Sequence, residues 1–213
     1  MTEQVEQRAG RPWRRIVLAT LGALLVTALV AAVAAAALAV RVDGHSMEPT
    51  LVNGQRLLAV PGTAGRAERL DVVLLRTPGR DTTMVKRVIG LPGDRVEILA
   101  RPDDPFVVLV QPGGSGQWYR VDLPTGRDQD RHASPCCAAD GRKQSVAAAQ
   151  LVPPGKLFFL GDNSDHSDDA RSFGWGDLAS VTGRVGWSVL PLSRIGALSY
   201  RAEMTPVAAP EEN

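Results

Sequence analysis

A run of 25 residues without a charged side chain, from Ile16 to Val40, constrains the fold of this chain more than any other feature. The run is rich in alanine, leucine and valine, and a helix of this length spans a bilayer with some tilt. Basic and aromatic residues precede it: Arg8, Arg11, Trp13, Arg14 and Arg15. The positive-inside rule therefore predicts a cytoplasmic segment at 1–15, a transmembrane anchor at 16–40 and an extracytoplasmic remainder.

A cleavable signal peptide is the alternative interpretation of the same run. Ala37-Leu38-Ala39 fits a small-residue cleavage pattern, and cleavage there would leave six residues before Ser46. The apolar region of a signal peptide is normally about 7–15 residues long, which is shorter than this run. We therefore expect an uncleaved anchor.

The composition excludes some classes of protein. Lys+Arg 24 against Asp+Glu 23 leaves no broad basic face of the kind that nucleic-acid binding needs. Three histidines and two adjacent cysteines, Cys136 and Cys137, do not form a zinc-binding spacing, so we expect neither metal nor cofactor. On an oxidising face of the membrane the cysteines form a disulfide or remain two thiols.

Short apolar segments bounded by glycine and proline predict a mainly β domain over 41–200. Its middle, 100–154, is rich in Pro, Gly, Asp and Arg and predicts an inserted smaller β subdomain. The tail, 201–213, is rich in Pro, Ala and Glu and predicts disorder. The expected strands are Arg56 to Val60, Leu70 to Arg76, Thr82 to Ile89, Arg95 to Leu99, Leu157 to Leu160 and Val181 to Leu190.

Two residues stand out as chemically reactive. Ser46 lies in a turn shaped by Gly44 and Pro49, which suits a nucleophile whose own backbone N–H faces an oxyanion. Lys86 lies on the face of its strand that also carries Met84 and Val88. Burial there would favour its neutral form, which a base for Ser46 requires. The alternatives are an ordinary turn serine and a lysine that extends outward to water.

A third segment, Gly161 to Gly174, is dense in polar residues directly after an apolar strand, which favours a hydrogen-bonded loop. A calcium-binding loop is the alternative. Its acidic spacing does not match an EF-hand, which needs glycine at its sixth position and glutamate at its twelfth.

These three segments together resemble the conserved boxes of bacterial type I signal peptidases, the serine–lysine peptidases of family S26. The resemblance covers residues 12 to 200 and is poor through 100 to 150. The motifs are Ser46-Met47-x-Pro49-Thr50-Leu51, Lys86-Arg87-Val88-Ile89-Gly90-Leu91-Pro92-Gly93-Asp94, and Gly161-Asp162-Asn163 followed by Ser167, Asp169 and Arg171.

The resemblance implies a coiled β-sheet catalytic domain and a role for each matching residue. Ser46 would attack the scissile carbonyl and its backbone N–H would bind the oxyanion, while Lys86 would act as the base. Ser167 would orient the lysine. Asp169 and Arg171 would form a supporting charged pair, and Asp162 would be structural. Gly44 replaces a hydroxyl residue of some members, so a second oxyanion donor is backbone or absent.

The resemblance also implies the substrate, the partners and the location. We expect cleavage of signal peptides of secreted preproteins after an A-x-A pattern, by a single-pass protein of the plasma membrane. Membrane lipid and the secretion translocon are expected partners, and nucleic acid is not. Apolar side chains would line shallow substrate pockets, with ordinary core packing as the alternative for each: Val40, Val42, Met47, Leu51, Met84 and Val85.

Two positions depart from the family pattern, with Ser164 in place of arginine and His166 in place of asparagine. The second raises the alternative of a Ser46–His–Asp triad. Self-cleaving repressors share the Ser–Lys chemistry, but the anchor and the lack of a DNA-binding segment oppose that assignment. A non-enzymatic envelope-binding module is a further alternative, which the presence of Ser46, Lys86 and Ser167 opposes.

Overall fold

The structure is a computed structural model and describes residues 12–124, 132–198 and 201–210. The chain divides between Ala39 and Val40 into two compact units. The first unit contains the apolar run apart from Val40, and the second contains every predicted strand. Residues 1–11, which make up most of the predicted cytoplasmic segment, lie outside the described residues.

A helix, α1 (Pro12–Leu38), forms the described part of the first unit. Among the described residues it is the one helix long and apolar enough to cross a membrane, a test that a signal sequence also passes. Its two threonine hydroxyls donate to the backbone carbonyls of Val17 and Ala23, so these polar groups are satisfied within the helix. The predicted span of 16–40 needs one correction, because Val40 belongs to the first strand of the second unit.

The second unit is built mainly of antiparallel β-sheet, which confirms the predicted fold class. Its larger sheet has the strand order β1-β2-β11-β3-β4-β9-β10, with β12 paired to β11. The strands are β1 (Val40–Arg41), β2 (Arg56–Val60), β3 (Val72–Arg76), β4 (Thr83–Gly90), β9 (Lys156–Leu160), β10 (Gly176–Asp177), β11 (Val181–Leu190) and β12 (Gly196–Ala197).

A second, five-stranded sheet has the order β13-β7-β6-β5-β8. Its strands are β5 (Arg95–Leu99), β6 (Val107–Gln111), β7 (Trp118–Asp122), β8 (Gln150–Leu151) and β13 (Glu203–Val207). A one-turn helix, α2 (Ala170–Phe173), follows β9.

Alternate residues of the two sheets meet in one buried core, because successive side chains of a strand point to opposite faces. Ile98 and Val110 from the second sheet join Val73 and Phe158 from the first, all fully buried. The turn between β4 and β5 is held by a buried carboxylate: Asp94 accepts from the guanidinium of Arg69 at 2.6 and 2.7 Å and from the backbone N–H groups of Leu91 and Gly113 at 2.8 and 2.9 Å.

Two predicted boundaries differ from the structure. The predicted insert, 100–154, supplies β6, β7 and β8, but the second sheet also includes β5 and β13, so it extends beyond the insert on both sides. The predicted disordered tail, 201–213, is wrong for Glu203–Val207, which pairs with β7 along its whole length. Met204 packs against the shared core there, a contact with a distant segment that composition does not reveal. Residues 211–213 lie outside the described residues.

Cys136 and Cys137 are joined by a disulfide, one of the two states considered for them. Both residues are buried in the shared core. The backbone of Cys136 exchanges hydrogen bonds with Ile98 at 3.0 and 3.1 Å, so the loop-rich middle of the chain is attached to the outer side of β5.

The C-terminal strand generates a stability prediction. We expect Met204→Ala to lower the free energy of unfolding by about 1–2 kcal/mol, because it removes a half-buried apolar contact. Denaturant unfolding of the detergent-solubilised protein measures this. Glu203→Ala on the exposed side of the same strand is the matched control and should change the value by less than about 0.5 kcal/mol. Equal effects of the two variants would contradict a packed strand.

Candidate active site

The turn that carries Ser46 is anchored by its own apolar residues. Met47 and Leu51 are buried in a small core on the face of the larger sheet opposite the core that the two sheets share. Gly44 has a φ of 100°, a left-handed conformation that favours glycine, and its N–H donates to the side-chain oxygen of Asn53 at 3.3 Å. The serine is therefore held in a defined turn.

Lys86 reaches this turn from β4. It pairs with Val73 on β3 and is 4% exposed, so it does not extend outward to water. Its Nζ lies 2.6 Å from Ser46 Oγ, within hydrogen-bonding distance. The two residues that stand out in the sequence are thus direct neighbours in the structure.

The protonation of Lys86 is set mainly by its burial. Desolvation lowers its pKa from the usual lysine value of 10.5 to about 8. The nearby carboxylates of Asp169 and Asp168 oppose this by favouring the charged form. The net effect leaves a much larger neutral fraction near neutral pH than an exposed lysine has.

The loop after β9, which begins at Gly161, is hydrogen-bonded to the turn that carries Ser46. The backbone N–H of Asn163 donates to the carbonyl oxygen of Ser46 at 3.1 Å, and its side-chain amide donates to the carbonyl oxygen of His45 at 3.2 Å. A β-carbon on Gly161 would overlap both Ser46 O and Ser167 Oγ. Glycine at this position is therefore required for the close approach of the two segments.

Ser167 lies close to the turn that carries Ser46, but its hydroxyl is not hydrogen-bonded to Lys86. Its Oγ is buried and has no hydrogen-bond partner among the described residues. The orienting hydrogen bond implied by the family resemblance is thus absent from this structure, and the hydroxyl lies next to Gly161 and the Ser46 turn.

A buried ion pair connects β4 to the same loop. Arg87, 3% exposed, donates from Nε and Nη2 to the two carboxylate oxygens of Asp162 at 2.7 and 2.6 Å and from Nη1 to the carbonyl oxygen of Leu70 at 2.8 Å. The hydroxyl of Thr50 donates to the same carboxylate. Asp162 thus joins the nucleophile turn, β4 and the loop.

A second buried pair closes the loop on itself. Arg171 donates to both oxygens of Asp169 at 2.8 and 2.9 Å, and the second oxygen also accepts from the N–H of Gly161 at 3.1 Å. Arg171 also donates to the carbonyl oxygen of Ser164 at 2.7 Å and lies 4.9 Å from the centre of the Phe106 ring. Position 164 therefore contributes through its backbone, which serine supplies as well as arginine does.

The structure does not assemble a histidine triad. The ring of His166 is exposed and lies 3.4 Å from the side-chain oxygen of Asn163, and the ring of His45 pairs with Glu48 at 2.8 Å. Neither ring is hydrogen-bonded to Ser46 among the described residues.

No group of three or more His, Cys, Asp or Glu side chains that could hold a metal ion occurs within 12–124, 132–198 and 201–210. Asp162 and Asp169, the two buried carboxylates of the candidate calcium loop, are each paired with an arginine instead.

A groove of about 350 Å³ opens at Ser46 and Lys86. Leu51, the sixth predicted pocket residue, does not line it: this side chain is fully buried in the small core below Met47, because the turn folds it inward. The predicted pocket residues that do line it are Val40, Val42, Met47, Met84 and Val85.

Sequence reasoning missed three residues that hold this site together, Thr50, Arg87 and Asn163. Arg87 lies on the opposite face of β4 from Lys86, where it forms a buried pair with Asp162. A signal for it existed, since an arginine inside an apolar strand needs a carboxylate, and Asp162 follows the neighbouring apolar strand.

Comparison with known proteins shows the family to which the chain belongs. The family model described as signal peptidase, peptidase S26, matches residues 13–190. Signal peptidase I of Bacillus caldolyticus is 31% identical over 207 residues, covering 91% of this chain and 97% of that protein. Signal peptidase IB of Staphylococcus aureus (strain COL) is 31% identical over 167 residues, covering 71% and 77%.

A solved structure, a signal peptidase I from Enterococcus faecalis V583, is 26% identical, covers 56% of this chain and 96% of its own, and has a TM-score of 0.39. The family match defines the chain as a serine peptidase, a hydrolase of peptide bonds. The chain belongs to the S26 signal peptidase family, whose activity is the cleavage of signal peptides.

The close approach at Gly161 generates a prediction. We expect Gly161→Ala to lower kcat for cleavage of a signal-peptide substrate at least about 100-fold, because the added methyl displaces the Ser46 turn. Steady-state kinetics on the solubilised protein measure it. Ser172→Ala, on the exposed side of the same loop, is the matched control. Activity of Gly161→Ala close to that of the control would contradict the packing described here.

Proposed function

We propose that this protein is a signal peptidase I that cuts preproteins with a Ser46–Lys86 dyad after an A-x-A pattern. The observation that carries the proposal is the 2.6 Å contact between Lys86 Nζ and Ser46 Oγ, with the lysine buried. A buried, partly neutral amine at that distance has the geometry and the pKa of a general base for a hydroxyl nucleophile.

In both halves of the reaction Lys86 accepts a proton from the attacking group and then donates it to the leaving group. Neutral Lys86 accepts the Ser46 proton as Oγ attacks the scissile carbonyl carbon. The ammonium then donates that proton to the leaving amine, and an acyl-enzyme remains on Ser46. Lys86, neutral again, takes a proton from the incoming water, whose oxygen attacks the ester, and returns it to Oγ as the cleaved signal peptide leaves.

The oxyanion is stabilised by the backbone of the nucleophile turn. The N–H of Ser46 donates no hydrogen bond within the described residues and is available to the developing charge. The N–H of Gly44 is engaged by Asn53, so Ser46 itself is the donor we assign.

The supporting residues act by holding the loop against the dyad. Asp162 and Asp169 each neutralise a buried arginine, Arg87 and Arg171, and both belong to the loop that contacts Ser46. We assign Ser167 the role of a neighbouring hydroxyl that meets the lysine when substrate fills the groove, since its Oγ is buried without a partner.

The substrate is proposed to bind as an extended strand. Within the described part of the chain, Thr83 to Lys86 of β4 pair only with β3, because β9 pairs with β4 from Arg87 onward. Of the described strands, only β2 pairs with β1, which lies at the edge of the sheet. These two free backbone edges border the groove, so an added strand finds hydrogen-bonding partners there.

The groove walls favour small side chains next to the cut. Val42 and Met47 are almost fully buried, and Val40, Met84 and Val85 are partly so, which leaves shallow apolar depressions. Alanine fits such a depression, while a large side chain would displace the walls. This supports the A-x-A pattern.

We propose that α1 anchors the enzyme in the plasma membrane, with the arginine-rich N-terminus in the cytoplasm and the β unit outside. Signal peptides reach the enzyme within the same bilayer, so tethering raises their effective concentration. Membrane lipid and the secretion translocon are then its partners.

The central test uses the full chain in detergent with an A-x-A signal-peptide substrate. We expect Ser46→Ala and Lys86→Ala to lose at least about 10³-fold in kcat, since each removes half of one catalytic unit. His166→Ala should retain activity within about threefold, and a substrate with phenylalanine before the cut should resist cleavage. Retained cleavage without Lys86 would contradict the dyad, and no cleavage by the unchanged protein would favour the binding-module alternative.

The pH profile gives an independent test. Because only neutral Lys86 accepts a proton, kcat/KM should rise with pH and level off above its pKa of about 8. Asp168→Asn removes an exposed carboxylate that favours the charged lysine, so the midpoint should move to lower pH. Asp165→Asn is the control, because the carboxylate of Asp165 is not among those that raise the pKa of Lys86. A midpoint unmoved by Asp168→Asn would contradict Lys86 as the titrating base.

A further inference from the structure

A second groove, of about 850 Å³, lies on the outer face of the five-stranded sheet. Its lining includes Gln144, residues 146–149, and Ala209 and Pro210 of the C-terminal segment. None of its lining residues lines the groove at Ser46. The proposed peptidase chemistry therefore leaves this groove unexplained.

Glu97 on β5 is an unusual wall residue for such a groove. It is 6% exposed, and its Oε2 is buried without a hydrogen-bond partner among the described residues. No ion pair to Glu97 is formed by the described arginines and lysines either. Burial accordingly raises its pKa. An unpaired buried carboxylate destabilises a fold, so its presence calls for a cation or donor that the described residues do not supply.

Two glutamines of the groove have side-chain oxygens that can accept hydrogen bonds. Gln111 donates from Nε2 to the carbonyl oxygen of Gly116 at 2.9 Å, and Gln144 donates from Nε2 to that of Cys137 at 2.9 Å. Their amide oxygens accept nothing from the described residues. Trp118 and a run of alanines also line the groove.

Arg95 is the one described basic residue that lines this groove. It lies two residues before Glu97 on the same face of β5, is exposed, and makes no ion pair among the described residues. A long exposed side chain at the rim can turn to solvent and leave the interior to a ligand.

We propose that this groove binds a primary ammonium or guanidinium group, with Glu97 as its counter-ion. A lysine or arginine side chain of a bound peptide supplies such a group, and so does a small free amine. The carboxylate provides the charge, and the two glutamine oxygens accept the remaining N–H donors.

Isothermal titration calorimetry on the full chain in detergent tests this. The probes are the blocked peptide acetyl-Ala-Lys-Ala-amide, its norleucine analogue and n-butylammonium. We expect the lysyl peptide to bind and the norleucine peptide, which lacks the charge, to bind at least tenfold more weakly. Tighter binding of the lysyl peptide than of n-butylammonium would identify a peptide as the source of the group, and the reverse order a free amine.

Variants of one strand separate this site from an ordinary surface. Glu97→Gln should weaken lysyl-peptide binding at least tenfold and leave signal-peptide cleavage unchanged. Arg95→Gln, the matched control, should bind the peptide as well as or better than the unchanged protein, because a like charge is removed. Glu97→Leu should unfold at a higher temperature, since it removes the unpaired carboxylate.

Three results would overturn the proposal. They are no binding of either cationic probe by the unchanged protein, equal binding by Glu97→Gln when that variant still cleaves substrate, and loss of binding in Arg95→Gln. The last would mean that the arginine holds an oxygen group of the peptide instead.

Discussion

Two adjacent cations buried on one strand are the constraint on which the rest of the site depends. Lys86 and Arg87 are 4% and 3% exposed and point to opposite faces of β4. Arginine does not lose its proton in proteins, so its burial requires a carboxylate, which Asp162 supplies. Lysine loses its proton readily, so its burial next to a hydroxyl yields an amine with a pKa of about 8. One cation is thereby structural and the other is a candidate base.

The loop after β9 contacts both the buried Arg87 and the turn that carries Ser46, the partner of Lys86. Asp162 neutralises Arg87. The N–H of the next residue, Asn163, donates to the carbonyl oxygen of Ser46, and the preceding Gly161 leaves room for that oxygen because it has no side chain. The position of the nucleophile and the pairing of the buried arginine are therefore set by the same few residues. The charged pair of Asp169 and Arg171 keeps this loop compact, since Asp169 also accepts from the backbone of Gly161.

Local patterns predicted most of the sheet and less of the site. Strands β2, β5 and β11 have the bounds that the sequence predicts from apolar runs and nearby glycine or proline, because side-chain alternation is a local property. Leu51 was assigned to a substrate pocket and lies instead in a core, since a turn decides which of two apolar neighbours faces inward. The strand at Glu203–Val207 was missed because its stability comes from pairing with β7, some 80 residues earlier in the chain.

The sequence by itself determined the long apolar helix, the β class of the remainder and the chemical identity of the candidate nucleophile and base. Only the tertiary structure decided that Ser46 and Lys86, 40 residues apart, lie 2.6 Å from each other, and that Arg87 pairs with Asp162, 75 residues away. It also decided that Glu97 lies in a separate groove, where its Oε2 has no hydrogen-bond partner among the described residues. The reason is physical: composition and periodicity report local propensity, whereas a pKa or an ion pair depends on which distant segments exclude water together.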